Sequence, residues 1–409
     1  MKSNATSGIL LTLIYPFGGL VHTMKNLKRQ GASTCFYLFC IFWGCALIYY
    51  NGHGVLGDGS DTERYVLYLM KAYQNRGISF WDYHQLLGKE DYYSSLLLFI
   101  VSRFTDNPHV FFGIASIIMG FFLVKSSWLI IEHCNTNNKM VLIFVYTMLA
   151  VAPIWNVGYV RWWTALYVFL YGILSYLIDG KYKKLIWCAV PLLIHFTFLF
   201  PLYVVGLYLL LPKKKVLPYL IVYVVAVFID GLDPSILQNY VSMILPADYN
   251  NDTIIGYIAF EYKAAHNWFA DSGKQVAIYT NLFLALVLYV KCKEQIERNK
   301  LYRHFFILSM LVSSMCLIIN LAPWGGRFLD LCNFLSMAMY AFLLSDNQIF
   351  ANSEKLFRFA IPFVVYYMLF QIRAGLYTIG FFNLFMGNML TPFIYNDNTP
   401  IIDLIGIDF

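Results

Sequence analysis

The sequence predicts an all-α, polytopic integral membrane protein, and its composition and hydropathy carry that prediction. Of the 409 residues, 59% are hydrophobic and 13% are charged, and the mean hydropathy is +0.60. Soluble domains carry about 25% charged residues, so this chain has too little charge to cover a surface exposed to water. A soluble enzyme and a disordered chain are excluded. The net charge of +6 is small and scattered among apolar runs, which excludes a nucleic-acid partner.

Apolar runs along the chain reach or approach the roughly 20 residues that a membrane-spanning helix needs. They cover residues 34–50, 109–131, 140–156, 162–179, 216–230, 275–290, 304–322, 328–345 and 359–375. A shorter run at 8–22 is interrupted by Pro16 and two glycines. Together with residues 185–211, these runs predict about ten to twelve membrane helices. We find no linker or repeat, so we expect one membrane domain over residues 1–409.

Lysine and arginine in short connections mark the cytoplasmic side of a membrane protein. The basic clusters of this chain lie at 25–29, 181–184, 213–215 and 291–303. When all four clusters are placed inside, four predicted spans separate the first two clusters and two predicted spans separate the last two. Both numbers are even, as they must be when the clusters at each end lie on the same side of the membrane. The long connections 51–108 and 231–274 are then external loops, and carboxylates outnumber cations in the second. We therefore expect the working surface to face the periplasm or exterior.

The segment 185–211 has basic clusters at both ends, which places both ends on the cytoplasmic side. About 27 residues cannot cross a bilayer twice as full helices, because each helical residue adds only about 1.5 Å. We therefore expect a re-entrant hairpin of two half-helices that turns near His195, between Pro191 and Pro201. The alternative is a single tilted span.

Polar residues at the outer ends of spans are the candidates for function, because charge near a membrane interior is costly. In the first external loop, Asp61, Arg64, Tyr65 and Tyr68 follow the i, i+3, i+4, i+7 spacing of one helix face. That face offers a carboxylate as general base and two rings on which sugars can stack. The alternative is a capped helix start on a wet surface.

Two arginines and one histidine complete the candidate set. Arg161 and Arg327 lie at the outer ends of the spans 162–179 and 328–345, and guanidinium groups bind phosphate oxygens in a bidentate fork. The alternatives are an interfacial arginine for Arg161 and an ion pair with Asp330 for Arg327. His195 lies in an apolar run, where an imidazole needs a partner or water. Arg103 and Arg373 are weaker candidates.

The remaining polar residues favour neither a metal nor a cofactor. The eight cysteines lie mostly inside apolar runs, and no CxxC or Cys/His pair has metal-ligand spacing. Aromatic residues are frequent in the external loops and suit either sugar rings or an interfacial belt. They are Trp81, Tyr83, Tyr92, Tyr93, Tyr249, Tyr257, Tyr262 and Trp268.

Four segments of the chain carry a resemblance to a known family. They are SDTERYVLY at 60–68, RWWTA at 161–165, DGKY at 179–182 with IHFT at 194–197, and GRF at 326–328. In this order and spacing they resemble the EpsG-like branch of the polysaccharide repeat-unit polymerases, the Wzy-type enzymes. The match runs from about residue 34 to 345. Trp162 stands where that family commonly has glutamine, so no role for the amide carries over.

The resemblance implies a multi-spanning, GT-C-type glycosyltransferase that is metal-independent and has no cofactor. Such an enzyme transfers a growing glycan from its polyprenyl (undecaprenyl) pyrophosphate to a new lipid-linked repeat unit, in O-antigen, capsule or exopolysaccharide synthesis. The expected place is the outer face of a bacterial cytoplasmic membrane. The expected partners are the lipid-linked donor and acceptor and membrane lipid, together with a chain-length regulator and a flippase.

Residue roles follow from the resemblance as hypotheses. Arg161 and Arg327 would stabilise the developing pyrophosphate charge. Asp61 or His195 would take the proton of the acceptor hydroxyl, and Arg64 would orient the donor or acceptor.

Other functional classes share parts of this pattern. A lipid-linked oligosaccharide flippase or anion transporter would need the same spans and arginines, but transporters often show inverted repeats, and we find none. A glycan ligase would use almost the same pyrophosphate chemistry. A structural scaffold fits least, given two long polar external loops.

Overall fold

A computed structural model describes residues 2–49, 61–87, 92–230, 268–321, 325–395 and 397–405. The described part of the chain is almost entirely helical and contains isolated β-bridges but no β-strand. The all-α class predicted from the sequence is therefore confirmed. We number the described helices of eight or more residues in chain order: α1 (Lys2–Ile14), α2 (Pro16–Lys25), α3 (Ala32–Cys45), α4 (Asp61–Gln74), α5 (Phe80–Leu87), α6 (Tyr92–Ser102), α7 (Pro108–Ile131), α8 (Lys139–Val151), α9 (Val160–Asp179), α10 (Leu199–Leu210), α11 (Leu217–Asp230), α12 (Trp268–Arg298), α13 (Lys300–Asn320), α14 (Phe328–Leu343) and α15 (Asn347–Leu376).

Several of these helices are long and apolar enough to cross a bilayer. Among the described residues there are 6 such stretches: Pro108–Ile131, Lys139–Gly158, Val160–Asp179, Ser272–Arg298, Lys300–Asn320 and Asn347–Leu376. Shorter apolar helices accompany them: Ala5–Ile14, Ala32–Cys45, Tyr92–Ser102, Phe196–Leu210 and Leu217–Asp230. Each apolar run predicted as a span overlaps a helix of the structure. The chain is a multi-pass membrane protein, as predicted.

The helices group into two compact units, and each of them draws on separate stretches of the chain. Unit 1 comprises Met1–Glu132, Pro153–Leu199 and Gln371–Asp408, and unit 2 comprises His133–Ala152, Phe200–Phe370 and Phe409. The chain therefore leaves unit 1 for α8, returns for α9, and returns once more at its C-terminal end. The single membrane domain expected from the sequence stays a prediction.

In unit 1, α3 and α7 pack closely through glycine. A Cβ atom on Gly44 would lie 2.6 Å from the carbonyl oxygen of Phe112, and one on Gly113 would lie 2.6 Å from Cys45 Sγ. Lipid tails are as apolar as leucine, so helices in a bilayer associate by close contact of this kind rather than by escape from water. The two glycines thus set the distance between the helices.

Helix α9 is the centre of unit 1. Every residue from Trp162 to Leu170 is buried, on all sides of the helix. A helix that is apolar all round is one that other helices surround. Its first turn is therefore held firmly, and this is the turn that carries Arg161.

The chain after α9 is broken into short pieces, as the sequence predicts near His195. The helices Ile186–Ala189 and Pro191–Ile194 precede His195, whose backbone is extended at φ −155° and ψ 112°. A 3-10 turn, Phe196–Phe198, then leads into α10. The interruption at His195 is observed, and the re-entrant path of the whole segment stays a prediction.

The C-terminal segment returns to α3, although the sequence alone assigns no role to residues after about 376. Ile379 pairs with Leu47 in an antiparallel bridge, and the Ile48 N–H donates to the Thr378 carbonyl at 2.9 Å. Trp43 Nε1 also donates to Thr378 Oγ1 at 3.3 Å. These bonds satisfy the backbone just past the end of α3.

A buried polar network ties together three helices of unit 2. Asn281 Nδ2 on α12 donates to Asn333 Oδ1 on α14 at 2.7 Å, and Asn333 Nδ2 donates to the Tyr367 hydroxyl on α15 at 2.7 Å. The Tyr340 hydroxyl donates to the Asn281 carbonyl at 2.8 Å. Polar groups at membrane depth are costly unless they pair, so these bonds specify how the helices align.

The two predicted external loops contain helices. The first, 51–108, holds α4, α5 and α6, and α12 begins at Trp268, inside the second predicted loop, 231–274. The described ranges omit parts of both loops. The candidate residues Tyr249, Tyr257 and Tyr262, and the side chain of Trp268, lie outside the described residues.

The packing of α3 on α7 can be tested with Gly44→Ala. The added Cβ would press against the Phe112 carbonyl, and overpacking of this kind costs about 1–3 kcal/mol. We expect the midpoint of heat-induced aggregation in detergent to fall by several degrees. Gly206→Ala is the matched control, because no heavy atom lies within 4 Å of its added Cβ. Equal midpoints for both variants would contradict the proposed contact.

Candidate functional site

The first turn of α4 carries an ion pair. Arg64 Nη2 donates to Asp61 Oδ1, at the i, i+3 spacing that the sequence shows. Because α4 begins at Asp61, this carboxylate also lies at the positive end of the helix dipole. The side chains of Asp61 and Arg64 are 22% and 51% exposed. Both charged groups can therefore be reached by a ligand.

The two tyrosines predicted beside this pair differ in exposure. Tyr65 is 3% exposed and packs against Phe111 of α7, with ring centroids 5.9 Å apart. A ring covered to this extent offers no face to a sugar, so Tyr65 anchors α4 on α7. Tyr68 is half-buried, and its carbonyl accepts a hydrogen bond from the Tyr83 hydroxyl at 3.3 Å. Burial raises the pKa of Tyr83, and the neighbouring Tyr68 adds to the rise, which keeps Tyr83 a neutral donor.

An exposed aromatic surface lies on α5 and α6, formed by Trp81, His84 and Tyr92. The His84 and Tyr92 rings stack with centroids 4.7 Å apart, and Trp81 meets Tyr92 edge-on at 6.3 Å. His84 Nδ1 lies 3.0 Å from Ser95 Oγ. Trp81 is 63% exposed and Tyr92 48% exposed. This surface keeps open the two interpretations from the sequence, a platform for sugar rings or an interfacial belt.

A 3-10 turn, Ile154–Gly158, places the start of α4 beside the start of α9. Gly158 approaches Thr62 so closely that a Cβ on Gly158 would overlap the threonine hydroxyl. Thr62 follows Asp61 directly, and Arg161 comes three residues after Gly158. The ion pair of α4 and the arginine of α9 therefore lie on neighbouring helix starts within unit 1.

Arg161 adds a full charge to a helix end that is already positive. It is the second residue of α9 and is half-buried, and the dipole contributes about +0.5 charge at that end. A cation there is unfavourable unless an anion compensates it. Guanidinium and first-turn N–H groups both suit phosphate oxygens, and an anion site at Arg161 stays a prediction.

The break at His195 lies against the same turn of α9. The Phe198 ring packs on the Trp162 ring, with centroids 5.8 Å apart, and Trp162 follows Arg161 directly. His195 is half-buried, and its Nδ1 lies 2.8 Å from Thr197 Oγ1. The predicted base candidates Asp61 and His195 thus belong to elements that both border the start of α9.

Arg327 belongs to unit 2 and has a similar local setting. It ends the 3-10 turn Gly325–Arg327 and is the N-cap residue of α14, with an exposed side chain. Gly325 is required there, because a Cβ would overlap the carbonyl of Ile319. Arg161 follows a 3-10 turn and Arg327 is the last residue of one, and both stand at the N-terminus of a largely buried helix.

The two weaker arginine candidates have different surroundings. Arg103 donates to the carbonyls of Arg76 and Ile78 at 2.6 and 3.1 Å and covers the Phe99 ring at 3.9 Å. It therefore holds the turn between α4 and α5 in place. Arg373 is half-buried in the last turn of α15, within unit 1.

The last turn of α15, where Arg373 lies, approaches the turn that precedes α9. Two residues further on, a Cβ on Gly375 would lie 2.8 Å from the Trp155 ring, and Trp155 belongs to the 3-10 turn Ile154–Gly158. Sequence reasoning could not predict this contact, since more than two hundred residues separate Trp155 from Gly375.

The chain matches the EpsG family over residues 36–385. The chain belongs to the EpsG family. The match confirms the resemblance drawn from the sequence motifs and covers the ion pair of α4, both arginines and His195. No curated protein and no solved structure matches the chain. Membership of the EpsG family indicates a role in polysaccharide polymerisation.

The described residues of this EpsG-family chain contain no group of three His, Cys, Asp or Glu side chains placed to hold a metal ion. The cysteines are all buried, which agrees with their position in apolar runs. Metal-independent chemistry stays a prediction.

The contribution of the Asp61–Arg64 ion pair to thermal stability can be measured with Arg64→Gln. Exposed ion pairs contribute only about 0–1 kcal/mol, because water screens them. We therefore expect the midpoint of thermal unfolding in detergent to change by no more than about 2–4 °C. Glu294 and Arg298 form a comparable exposed pair on α12, and Arg298→Gln is the control. A collapse of stability in Arg64→Gln alone would show that the pair is structural rather than open to a ligand.

Proposed function

We propose that this chain is a membrane-embedded glycosyltransferase that polymerises lipid-linked polysaccharide repeat units. In the proposed reaction the growing glycan leaves its polyprenyl pyrophosphate and is transferred to a hydroxyl of a new lipid-linked unit. The family supports a role in polymerisation, and the polyprenyl carrier and the repeat-unit mechanism are part of the proposal.

One observation carries the proposal most. Arg161 stands in the first turn of a buried helix, and Gly158, three residues before it, approaches Thr62 in the first turn of α4. Oriented N–H dipoles and a fixed cation stabilise negative charge that develops on a leaving group. A pyrophosphate that departs with the bonding electrons gains negative charge, which this arrangement would stabilise.

The roles of the other residues follow from this assignment. The O–H bond of the acceptor hydroxyl breaks as its oxygen bonds the anomeric carbon, and the bond from that carbon to pyrophosphate breaks. Asp61 or His195 accepts the proton, and Arg64 orients the donor or acceptor. Arg327, in unit 2, is a separate candidate for stabilising pyrophosphate charge. No metal or cofactor is part of the proposed reaction.

The aromatic surface supports a glycan substrate. Trp81 and Tyr92 present exposed rings next to each other, and Tyr68 is partly open on α4. Aromatic faces stack on the apolar faces of sugar rings, while the arginines hold the charged end of the carrier. The proposed partners are the lipid-linked donor and acceptor, membrane lipid, a chain-length regulator and a flippase.

The proposed location is the bacterial cytoplasmic membrane, with the site on its outer face. This orientation rests on the basic clusters at 25–29, 181–184, 213–215 and 291–303, since positive residues in short connections stay in the cytoplasm. Labelling of a cysteine introduced at Lys183 or at Trp81 with a membrane-impermeant reagent would report the side of each.

Reconstitution tests the activity directly. Purified protein in liposomes with lipid-linked repeat units should produce a ladder of polymer. Arg161→Gln and Arg327→Gln should each reduce the rate about a hundredfold to a thousandfold, the range found when a single charge-stabilising donor is removed. Arg298→Gln, an exposed arginine at the end of α12, is the control. A change in the sidedness of the lipid without any polymer would identify a flippase instead.

The base can be identified by a comparison of Asp61→Asn with His195→Gln. Removal of the general base lowers kcat by about 10²–10⁴-fold with little change in KM. Removal of a residue that only binds substrate raises KM instead. We expect one variant to show each pattern. If both kept the wild-type kcat, neither residue would be the base.

A further inference from the structure

A cavity of about 450 Å³ lies in unit 1, at the end of α9 away from Arg161. The start of α3, the end of α7 and the end of α9 line it, together with the 3-10 turn Tyr182–Leu185 that follows α9. Its volume is in the range of about 300–1,000 Å³ that small-molecule sites occupy. Helix α9 has 20 residues, so about 30 Å separates its two ends. The cavity is therefore distinct from the candidate site at Arg161.

Lys125 is a cation inside a membrane-spanning helix. It belongs to the stretch Pro108–Ile131, and its exposed side chain lines the cavity. Its Nζ lies 5.8 Å from the centroid of the Phe121 ring, and within the described ranges no carboxylate forms an ion pair with it. Charge in a membrane span is costly unless it is compensated. The cavity side of Lys125 therefore favours an anion.

A buried hydroxyl of the cavity lacks a partner. Ser175 lines the cavity from α9 and is 1% exposed. Its hydroxyl has no hydrogen-bond partner in the part of the chain that the structure describes. Buried polar groups are nearly always paired in folded proteins, so this hydroxyl points to a group that occupies the cavity. A phosphate oxygen accepts hydrogen bonds from a hydroxyl and from an ammonium, and it would serve Ser175 and Lys125 alike.

The outer rim of the cavity is acidic. Glu132 is the C-cap residue of α7, and Asp179 is the last residue of α9. Both line the cavity, at helix ends where the dipole already contributes about −0.5 charge. Lys184 Nζ lies 3.6 Å from Asp179 Oδ2 and compensates that carboxylate. Among the described residues Glu132 has no such cation, so the rim favours one from a ligand.

The order of these groups along the helices is complementary to one kind of molecule. Lys125 lies two turns, about 10 Å, before Glu132 on α7, and Ser175 lies one turn, about 6 Å, before Asp179 on α9. The cation and the hydroxyl are therefore deeper in the membrane than the carboxylates. In a phospholipid with an ethanolamine headgroup, the phosphate adjoins the glycerol and the ammonium lies further out, toward water. Each charge of such a headgroup meets its opposite in the cavity.

We propose that this cavity binds the headgroup of phosphatidylethanolamine from the leaflet at this end of α9, which the predicted orientation makes the cytoplasmic one. Lys125 and Ser175 donate to the phosphate oxygens, and Glu132 accepts hydrogen bonds from the ammonium. Lys184 and Asp179 form the neighbouring wall as an ion pair. The competing explanation is a lysine that only extends its ammonium to the surface of any bilayer.

Thermal-shift titrations in a phosphate-free detergent test the site. Phosphatidylethanolamine should raise the thermal midpoint of delipidated wild type, since a ligand that binds the folded state stabilises it. Lys125→Gln should weaken the apparent Kd about tenfold to a hundredfold, the loss of one charge-assisted hydrogen bond. Lys125→Arg should restore most of the affinity. Lys183→Gln is the matched control, an exposed lysine beside the cavity that does not line it. An unchanged Kd in Lys125→Gln would overturn the proposal.

A comparison of headgroups tests the role of Glu132. Phosphatidylglycerol with the same acyl chains keeps the phosphate but lacks the ammonium, so it should bind wild type about tenfold more weakly. Glu132→Gln should remove this preference by weakening the binding of phosphatidylethanolamine alone, whereas Lys125→Gln should weaken the binding of both lipids. Glu294→Gln is the control, an exposed glutamate on α12. Equal affinity of wild type for the two lipids would refute the ammonium contact, and with it the proposal.

The acyl chains distinguish a membrane lipid from a soluble phosphate ester. Glycerophosphoethanolamine has the same headgroup without chains, and at equal concentration it should shift the thermal midpoint of wild type far less than the lipid does. An equal shift would indicate a site for soluble phosphodiesters and contradict the lipid assignment. All of these measurements record binding alone, so they test the cavity independently of polymerase activity.

Discussion

Close backbone contact between helices is the constraint on which unit 1 depends. In a bilayer, apolar side chains gain nothing by leaving lipid for one another, so helices are held by dense packing and a few hydrogen bonds. Gly44 and Gly113 bring α3 against α7, and Gly158 brings the turn before α9 against Thr62. The second of these contacts places the first turn of α4 beside the turn that leads into α9. The arrangement of the candidate residues in unit 1 therefore depends on where small residues allow the backbones to meet.

Much of the fold could be predicted from hydropathy alone, because the bilayer requires long apolar helices and little else satisfies it. Each predicted span overlaps a helix, and the break at His195 was predictable from Pro191, Pro201 and the short distance between two basic clusters. The helices inside the first external loop were harder to predict in full. Only the spacing of Asp61, Arg64, Tyr65 and Tyr68 indicated α4. The amphipathic pattern of so short a segment does not show which neighbouring helices pack against it.

The candidate site was likewise predictable from the sequence only in part. Residue type and position at a span end were enough to single out Arg161 and Arg327, because charge near the membrane is rare and costly. Burial was not predictable: Tyr65 and Tyr68 look equivalent in the sequence, yet one is packed on Phe111 and the other is partly open. The last turn of α15, which carries Arg373, lies near Trp155, which is distant in sequence, and a single sequence carries no signal of such proximity.

The return of the C-terminal segment to unit 1 has a consequence for biosynthesis. Trp155 and the end of α3 receive their last contacts from residues near Thr378 and Gly375, which the ribosome makes more than two hundred residues later than Trp155. Translation proceeds at about 5–20 residues per second. The early helices therefore spend on the order of ten to forty seconds in the bilayer before the C-terminal segment can pack against them. During this time the arginines and carboxylates of unit 1 lie near the membrane while the packing around them is incomplete. A stop codon or a bulky fusion near the C-terminus would then disturb the packing of α3 and Trp155, in the first half of the chain.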